Sequence, residues 1–391
     1  MGVEEFCLVK LKYIKSQHSH LYLYVRGDEL FVWSIPKKEL YGFEGLGAAI
    51  FLYMEEFPTE RTLESLSHYF NLASEEVLAA LIRQISTIID DTSLLTTNEE
   101  QIELDRKSLS WEDYSCLYQY NLRLNEESFL LELEDARLNT LVMPSLGHLQ
   151  KSSRTSDFVI TLLKDKKGGY EIYVDGILED SVTNYKNLLP LLYDRIRIHY
   201  YQKHPFLVAL HAAVLTYEKS ALILPGVSGA GKSTLAAYLM HHELKLFSDE
   251  LTIIDETATL TPLPLGVTLK EGSWHVIKPF VDDMESINAH VRFDGQKIKQ
   301  IVPAKIEYKK SQPKKFVFVF PQFKQGSPTQ LKALSLIKAL HLFIDAGYHL
   351  KNPNDFQTLF LWLKLLSEAK LYTLVYSNIE EATSRLKEVL L

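Results

Sequence analysis

Residues 226–233 read Gly-Val-Ser-Gly-Ala-Gly-Lys-Ser, and their setting narrows the fold more than any other feature of the chain. An apolar, strand-like run at 221–224 precedes them, and a run suited to a helix follows at 234–240. The spacing is G-x-x-x-x-G-K-[ST], a loop between strand and helix whose glycines let backbone amides and the helix N-terminus face a phosphate chain. On this reading Gly226, Val227, Ser228, Gly229, Ala230, Gly231, Lys232, Ser233 and Thr234 form the phosphate cradle. Lys232 reaches the terminal phosphates and the Ser233 hydroxyl binds Mg²⁺. Such a loop belongs in an α/β domain, and strand and helix patterns do alternate from 206 onward. Helices are predicted at 188–201, 331–346 and 355–370, and a strand at 371–376.

The acids after the loop suggest chemistry. A strand at 244–247 leads into Ser248, Asp249 and Glu250, which puts Asp249 17 residues beyond Lys232 (249 − 232 = 17). That leaves room for one helix and one strand, so Asp249 is expected at the C-terminal end of a strand neighbouring the loop, where ligands gather in such sheets. In a kinase this is the place of the base that takes the proton of an acceptor hydroxyl. Asp249 is the candidate base and Glu250 a metal contact or second acid. Asp255, after a second apolar run at 251–254, ranks behind them. A turn between Glu218 and Lys219 would pair residues whose numbers sum to 437, which sets His211 opposite Gly226. There His211 could touch a γ-phosphate or tune Asp249. Lys270, and Arg292 on a hairpin turning at Asp294-Gly295, are further sources of positive charge. His241 and His242 suit the negative end of the helix without any functional role.

The N-terminal part is of another kind. Alternation at 21–25 and 30–34 around a turn at 26–28 reads as a hairpin, followed by helical spacing at 48–55, 62–70 and 74–89. Thr62 and Ser74 are the expected N-caps. A small winged-helix-like unit of this sort invites a DNA-binding reading, but the third helix carries Glu75, Glu76 and Asp90 against a lone Arg83. The whole chain agrees: 391 residues hold 42 Lys+Arg and 50 Asp+Glu, a net charge of −8, so nucleic acid is disfavoured. Two cysteines, Cys7 and Cys116, fit a reducing compartment, and no apolar run is long enough to span a membrane. Gly2 lacks the Ser or Thr at position 6 that myristoylation favours. The expectation is a cytoplasmic protein with no membrane partner. Residues 106–129 are polar and read as a linker, with a second block of strands following at 157–164 and 169–174.

Taken together, His211-Ala-Ala, the loop Gly226 to Ser233, Ser248-Asp249-Glu250 and the later 269–273 (Leu-Lys-Glu-Gly-Ser) resemble the bacterial HPr kinase/phosphorylase-related kinases over roughly 130–391. The resemblance implies a phosphoenolpyruvate-carboxykinase-like P-loop core, ATP and Mg²⁺, and phosphorylation of a serine hydroxyl. It also implies His211 as the family histidine, Asp249 as the base and Glu250 as the second acid. The glycine-rich downstream signature of the bifunctional enzymes is missing, which puts reverse phosphorylase activity and HPr as substrate in doubt. Residues 45–90 resemble the PqqD-like peptide-recognition domains, which hold the leader of a ribosomally made peptide at a sheet edge. The chain thus divides as 1–105 recognition domain, 106–129 linker and 130–391 kinase domain. Its expected role is transfer of the γ-phosphoryl group to a captured precursor peptide or protein. A small-molecule kinase and a non-catalytic ATP-dependent binding switch are the alternatives, and a symmetric homo-oligomer fits the kinase core.

Overall fold

A computed structural model describes residues 12–14, 16–18, 20–57, 66, 75–90, 108–109, 114–152, 155–303 and 305–390, with the side chains of 75–78 excepted. The helix expected at 62–70, both N-caps Thr62 and Ser74, and Cys7 fall outside them, Leu66 apart. The fold is mixed α/β with several sheets, in two compact units.

In the larger unit, the strand before the loop is Ser220–Pro225, apolar and buried from its second residue onward, as a strand covered on both faces must be. It lies in a six-stranded sheet of order Lys245–Ser248, Ala212–Tyr217, Ser220–Pro225, Lys315–Phe323, Lys370–Tyr376, Gln330–Ala333. Ser220–Pro225 pairs antiparallel with Ala212–Tyr217 and parallel with Lys315–Phe323. The observed pairs, Ala212 with Pro225 through Tyr217 with Ser220, all sum to 437 as expected. Lys245–Ser248 is antiparallel to Ala212–Tyr217 and so runs parallel to Ser220–Pro225 one strand away. Asp249 therefore reaches the loop's end of the sheet, although its strand is not the immediate neighbour that the sequence suggested. Helices Lys232–Met240 and Ile379–Leu390 bury Leu235, Leu239, Ala382 and Leu386 in a core shared with this sheet.

The same unit holds a five-stranded sheet, Tyr118–Arg123, Ser128–Leu133, Phe158–Lys164, Tyr170–Val174 and Ile177–Val182. Helices Ala136–Leu146 and Leu188–Lys203 share its core through Leu138, Val142, Leu192 and Ile196. Its first strand lies inside the expected linker. Tyr118, Tyr120 and Leu122 alternate with Gln119, Asn121 and Arg123, so what reads as polar linker is an edge strand with one wet face. One helix also starts later than expected: residues 331–333, expected to open it, belong to the antiparallel edge strand Gln330–Ala333, and the helix is Leu336–Ala346. The run at 208–216 breaks at His211, Val208–Leu210 joining Thr252–Ile254 and Tyr348–Leu350 in a separate sheet.

The smaller unit comprises 1–101 with 334–341 and 352–369, so the boundary is not the single cut near 105 read from the sequence. Its four-stranded antiparallel sheet runs Lys12–Ile14, Leu21–Arg26, Glu29–Ser34, Glu39–Glu44. Helices Leu46–Glu56 and Glu75–Asp90 share its core through Ile50, Phe51, Ile85 and Ile89. The later segments join by chemistry that sequence distance hides. Phe356 stacks on Tyr22 with ring centroids 4.1 Å apart. The buried Glu29 carboxylate accepts the backbone N–H of Ile337 at 2.8 Å and pairs with Arg26 at 2.9 Å. Among the described residues no helix is long and apolar enough to cross a membrane.

Candidate active site

The loop has the backbone its glycines permit. Gly229 and Gly231 take φ of 89° and 93°, and Gly231 caps the Lys232–Met240 helix. A Cβ on Gly231 would collide with the Tyr376 hydroxyl and lie 3.3 Å from the Phe323 Cβ. Those two residues end the parallel strands beside the loop, and they hold it: Phe323 N–H donates to the Ala230 carbonyl at 3.1 Å and the Tyr376 hydroxyl to the Gly231 carbonyl at 3.3 Å.

Lys232 folds back over this loop. Its buried ammonium donates to the carbonyls of Gly226 and Val227, the latter at 3.3 Å. Burial lowers its pKa, with Asp249 and Glu250 opposing. The Ser233 hydroxyl donates to Asp249, 3.2 Å from Oδ1 and 3.3 Å from Oδ2. Asp249 is 1 % exposed and also accepts the Thr268 N–H at 3.1 Å. Burial, reinforced by the charge of Glu250, pushes its carboxyl up to about 6.

Glu250 takes the other environment. With φ 72° it turns toward a cleft that it lines with His211, Ser228, Lys232, Ser233, Lys270 and Arg292. Burial raises its carboxyl pKa, but Arg197 at 2.8 Å and Arg292 at 3.9 Å outweigh that and hold it below the ordinary range. The His211 backbone N–H donates to the Gly347 carbonyl at 3.1 Å; burial and the charge of Lys232 lower the imidazole pKa, so the ring is neutral near pH 7. Lys270 reaches the loop, its ammonium 2.6 Å from the Ser228 hydroxyl, and Thr234 donates to Ser273 at 2.6 Å. The structure thus gathers nearly all the residues singled out by the sequence.

Asp255 stands apart. Its Oδ1 accepts the N–H groups of Thr257 and Thr259 at 2.8 and 2.9 Å, closing a turn. His242 stacks on Tyr238 and bonds its carbonyl, a local packing role. Arg197 was not foreseen. Its one signal is position: a charged residue on the face of Leu188–Lys203 that also carries the buried Tyr193, Ile196 and Tyr200.

These residues suit a nucleotide with Mg²⁺. The cradle presents amides at a helix N-terminus, with an ammonium that hydrogen-bonds, among the described residues, to the carbonyls of its own loop. Among the described residues no group of three or more His, Cys, Asp or Glu side chains could hold a metal. The Ser233 hydroxyl and the Glu250 carboxylate, which line the same cleft, are nonetheless a fitting donor set for Mg²⁺, which keeps waters and phosphate oxygens as its other ligands. No protein-family model matches the chain, and no curated protein sequence does.

Proposed function

We propose that the larger unit is a P-loop kinase core of the HPr-kinase-like kind, transferring the γ-phosphoryl group of ATP to a hydroxyl. The observation that carries this reading is the hydrogen bond from Ser233 to Asp249, which joins the last residue of the phosphate loop to a buried acid. The two acids are pushed to opposite sides of their ordinary range, and such a division marks which serves as base and which stays ionised. Asp249, with raised proton affinity, is the base. Glu250, held ionised by arginine, and the Ser233 hydroxyl are the metal-side oxygens.

In the reaction the acceptor oxygen bonds to the γ-phosphorus as the bond to the ADP oxygen breaks, and the acceptor proton passes to Asp249. Ser233 now occupies the Asp249 oxygens, so its hydroxyl must turn away before Asp249 takes that proton. Lys232 exchanges the loop carbonyls for phosphate oxygens, and Lys270 adds a second positive charge over the loop. Neutral His211 offers a hydrogen bond without repelling Lys232. Mg²⁺, when bound, draws charge from the phosphates.

The acceptor we infer is a serine hydroxyl on a ribosomally made precursor peptide or protein held by the smaller unit. Among the described residues Lys12–Ile14 is the outer strand of its sheet, with all three residues exposed, an edge to which an extended peptide can add. Tethering would raise the local concentration of the acceptor. The test is mass spectrometry of a candidate precursor incubated with the protein and Mg·ATP. One added phosphoryl group, lost in Asp249→Asn, is expected. Unchanged transfer in that variant removes Asp249 as base, and a wild-type protein that binds no ATP ends the kinase reading.

A further inference from the structure

We propose that Arg197 is a positioning residue that fixes the Glu250 carboxylate toward bound Mg·ATP, an inference that rests on the kinase reading above. Arg197 lies on Leu188–Lys203, far in sequence from the phosphate loop, and its Nη1 bonds Glu250 at 2.8 Å and Asp194, one helical turn back, at 3.0 Å. Its guanidinium carbon also lies 5.5 Å from the centre of the Tyr193 ring. Tyr193, Asp194 and Arg197 are spaced to share a helix face, so aromatic and acid together limit the arginine's rotamers. A guanidinium held this way can dictate where a carboxylate points.

Glu250 needs such an anchor. It is a non-glycine residue in the left-handed region, a conformation that persists only where its surroundings impose it. Arg292 is the weaker clamp, at 3.9 Å, on a hairpin where it also faces Asp294 at 3.6 Å. Arg197 Nη1 is shared between the Glu250 and Asp194 carboxylates, and its buried Nε and Nη2 have no hydrogen-bond partner among the described residues.

The experiment is calorimetric binding of ATP, with and without Mg²⁺, to the full chain and to Arg197→Lys, Arg197→Met and Glu250→Gln, with a thermal melt of each. Loss of a group orienting a metal-side carboxylate typically weakens metal binding about 10-fold or more. Arg197→Met is expected to lower Mg²⁺ enhancement of ATP binding about 10-fold while Mg²⁺-free ATP affinity stays within about twofold. Arg197→Lys, which keeps the charge and so guards against a misfolded Met variant, is expected to lose part of the same enhancement. In an Arg197→Met/Glu250→Gln double variant the two losses should not add. Equal loss with and without Mg²⁺, or full enhancement in a folded Arg197→Met, overturns the positioning role while leaving the kinase reading standing. A wild-type chain that binds no ATP overturns both.

Discussion

Replacing Asp249 by Asn should make the protein more stable at neutral pH, and the gain should grow with pH. The folded carboxyl titrates at about 6 against an ordinary 3.8 because it is buried beside Glu250, so the folded protein holds this proton more tightly than the unfolded chain. Stability from this group is therefore full below the unfolded value, falls as pH rises from 3.8 to about 6, and stays low above. At about 1.4 kcal/mol per pH unit the whole interval is worth about 3 kcal/mol, of which about 2 kcal/mol is lost between about pH 4.5 and 7.5. Asn carries no charge, and its side-chain oxygen can still accept the N–H of Thr268. The variant's advantage over wild type is thus expected to be about 1 kcal/mol at about pH 4.5 and about 3 kcal/mol at about pH 7.5. Titrations of groups other than Asp249 and its charged neighbour Glu250 largely cancel in the comparison. A larger domain moves its Tm by about 2–4 °C per kcal/mol, so parallel melts should separate by roughly 6–12 °C at the higher pH. An advantage that is flat or shrinking with pH would show that Asp249 is not a carboxylate kept ionised against its surroundings. Phosphotransfer should meanwhile be lost, a site that sacrifices stability for function.

Three further outcomes are expected. Gly231→Ala forces a side chain into left-handed backbone and against Tyr376; about 2–4 kcal/mol of stability should go, with ATP affinity, and an unchanged melt would show that the loop yields freely. Asp255→Ala removes a turn-closing carboxylate and should cost about 1 kcal/mol in a melt without changing ATP turnover, whereas a drop in turnover would return Asp255 to the active site. Deleting 1–105 removes Tyr22 and Tyr24 from the rings of Phe356 and Phe360, so the truncated chain should aggregate in light scattering; a monodisperse, ATP-binding product would show that 352–369 does not need the N-terminal sheet.

The sequence alone determined the local features. The loop spacing announced a cradle because glycine placement and helix capping are properties of a few adjacent residues. The 437 register was legible because a short turn leaves little freedom to the strands it joins. Tyr118–Arg123 was misread because an edge strand with one wet face has linker-like composition. What only the tertiary structure decided were contacts across long stretches of chain. It set Asp249 one strand beyond the expected neighbour yet under Ser233, joined Phe356–Glu368 to the N-terminal sheet, and brought Arg197 onto Glu250. Periodicity can report that a residue faces inward, but burial is shared among distant segments, and which charge an arginine meets there depends on the packing of the whole domain.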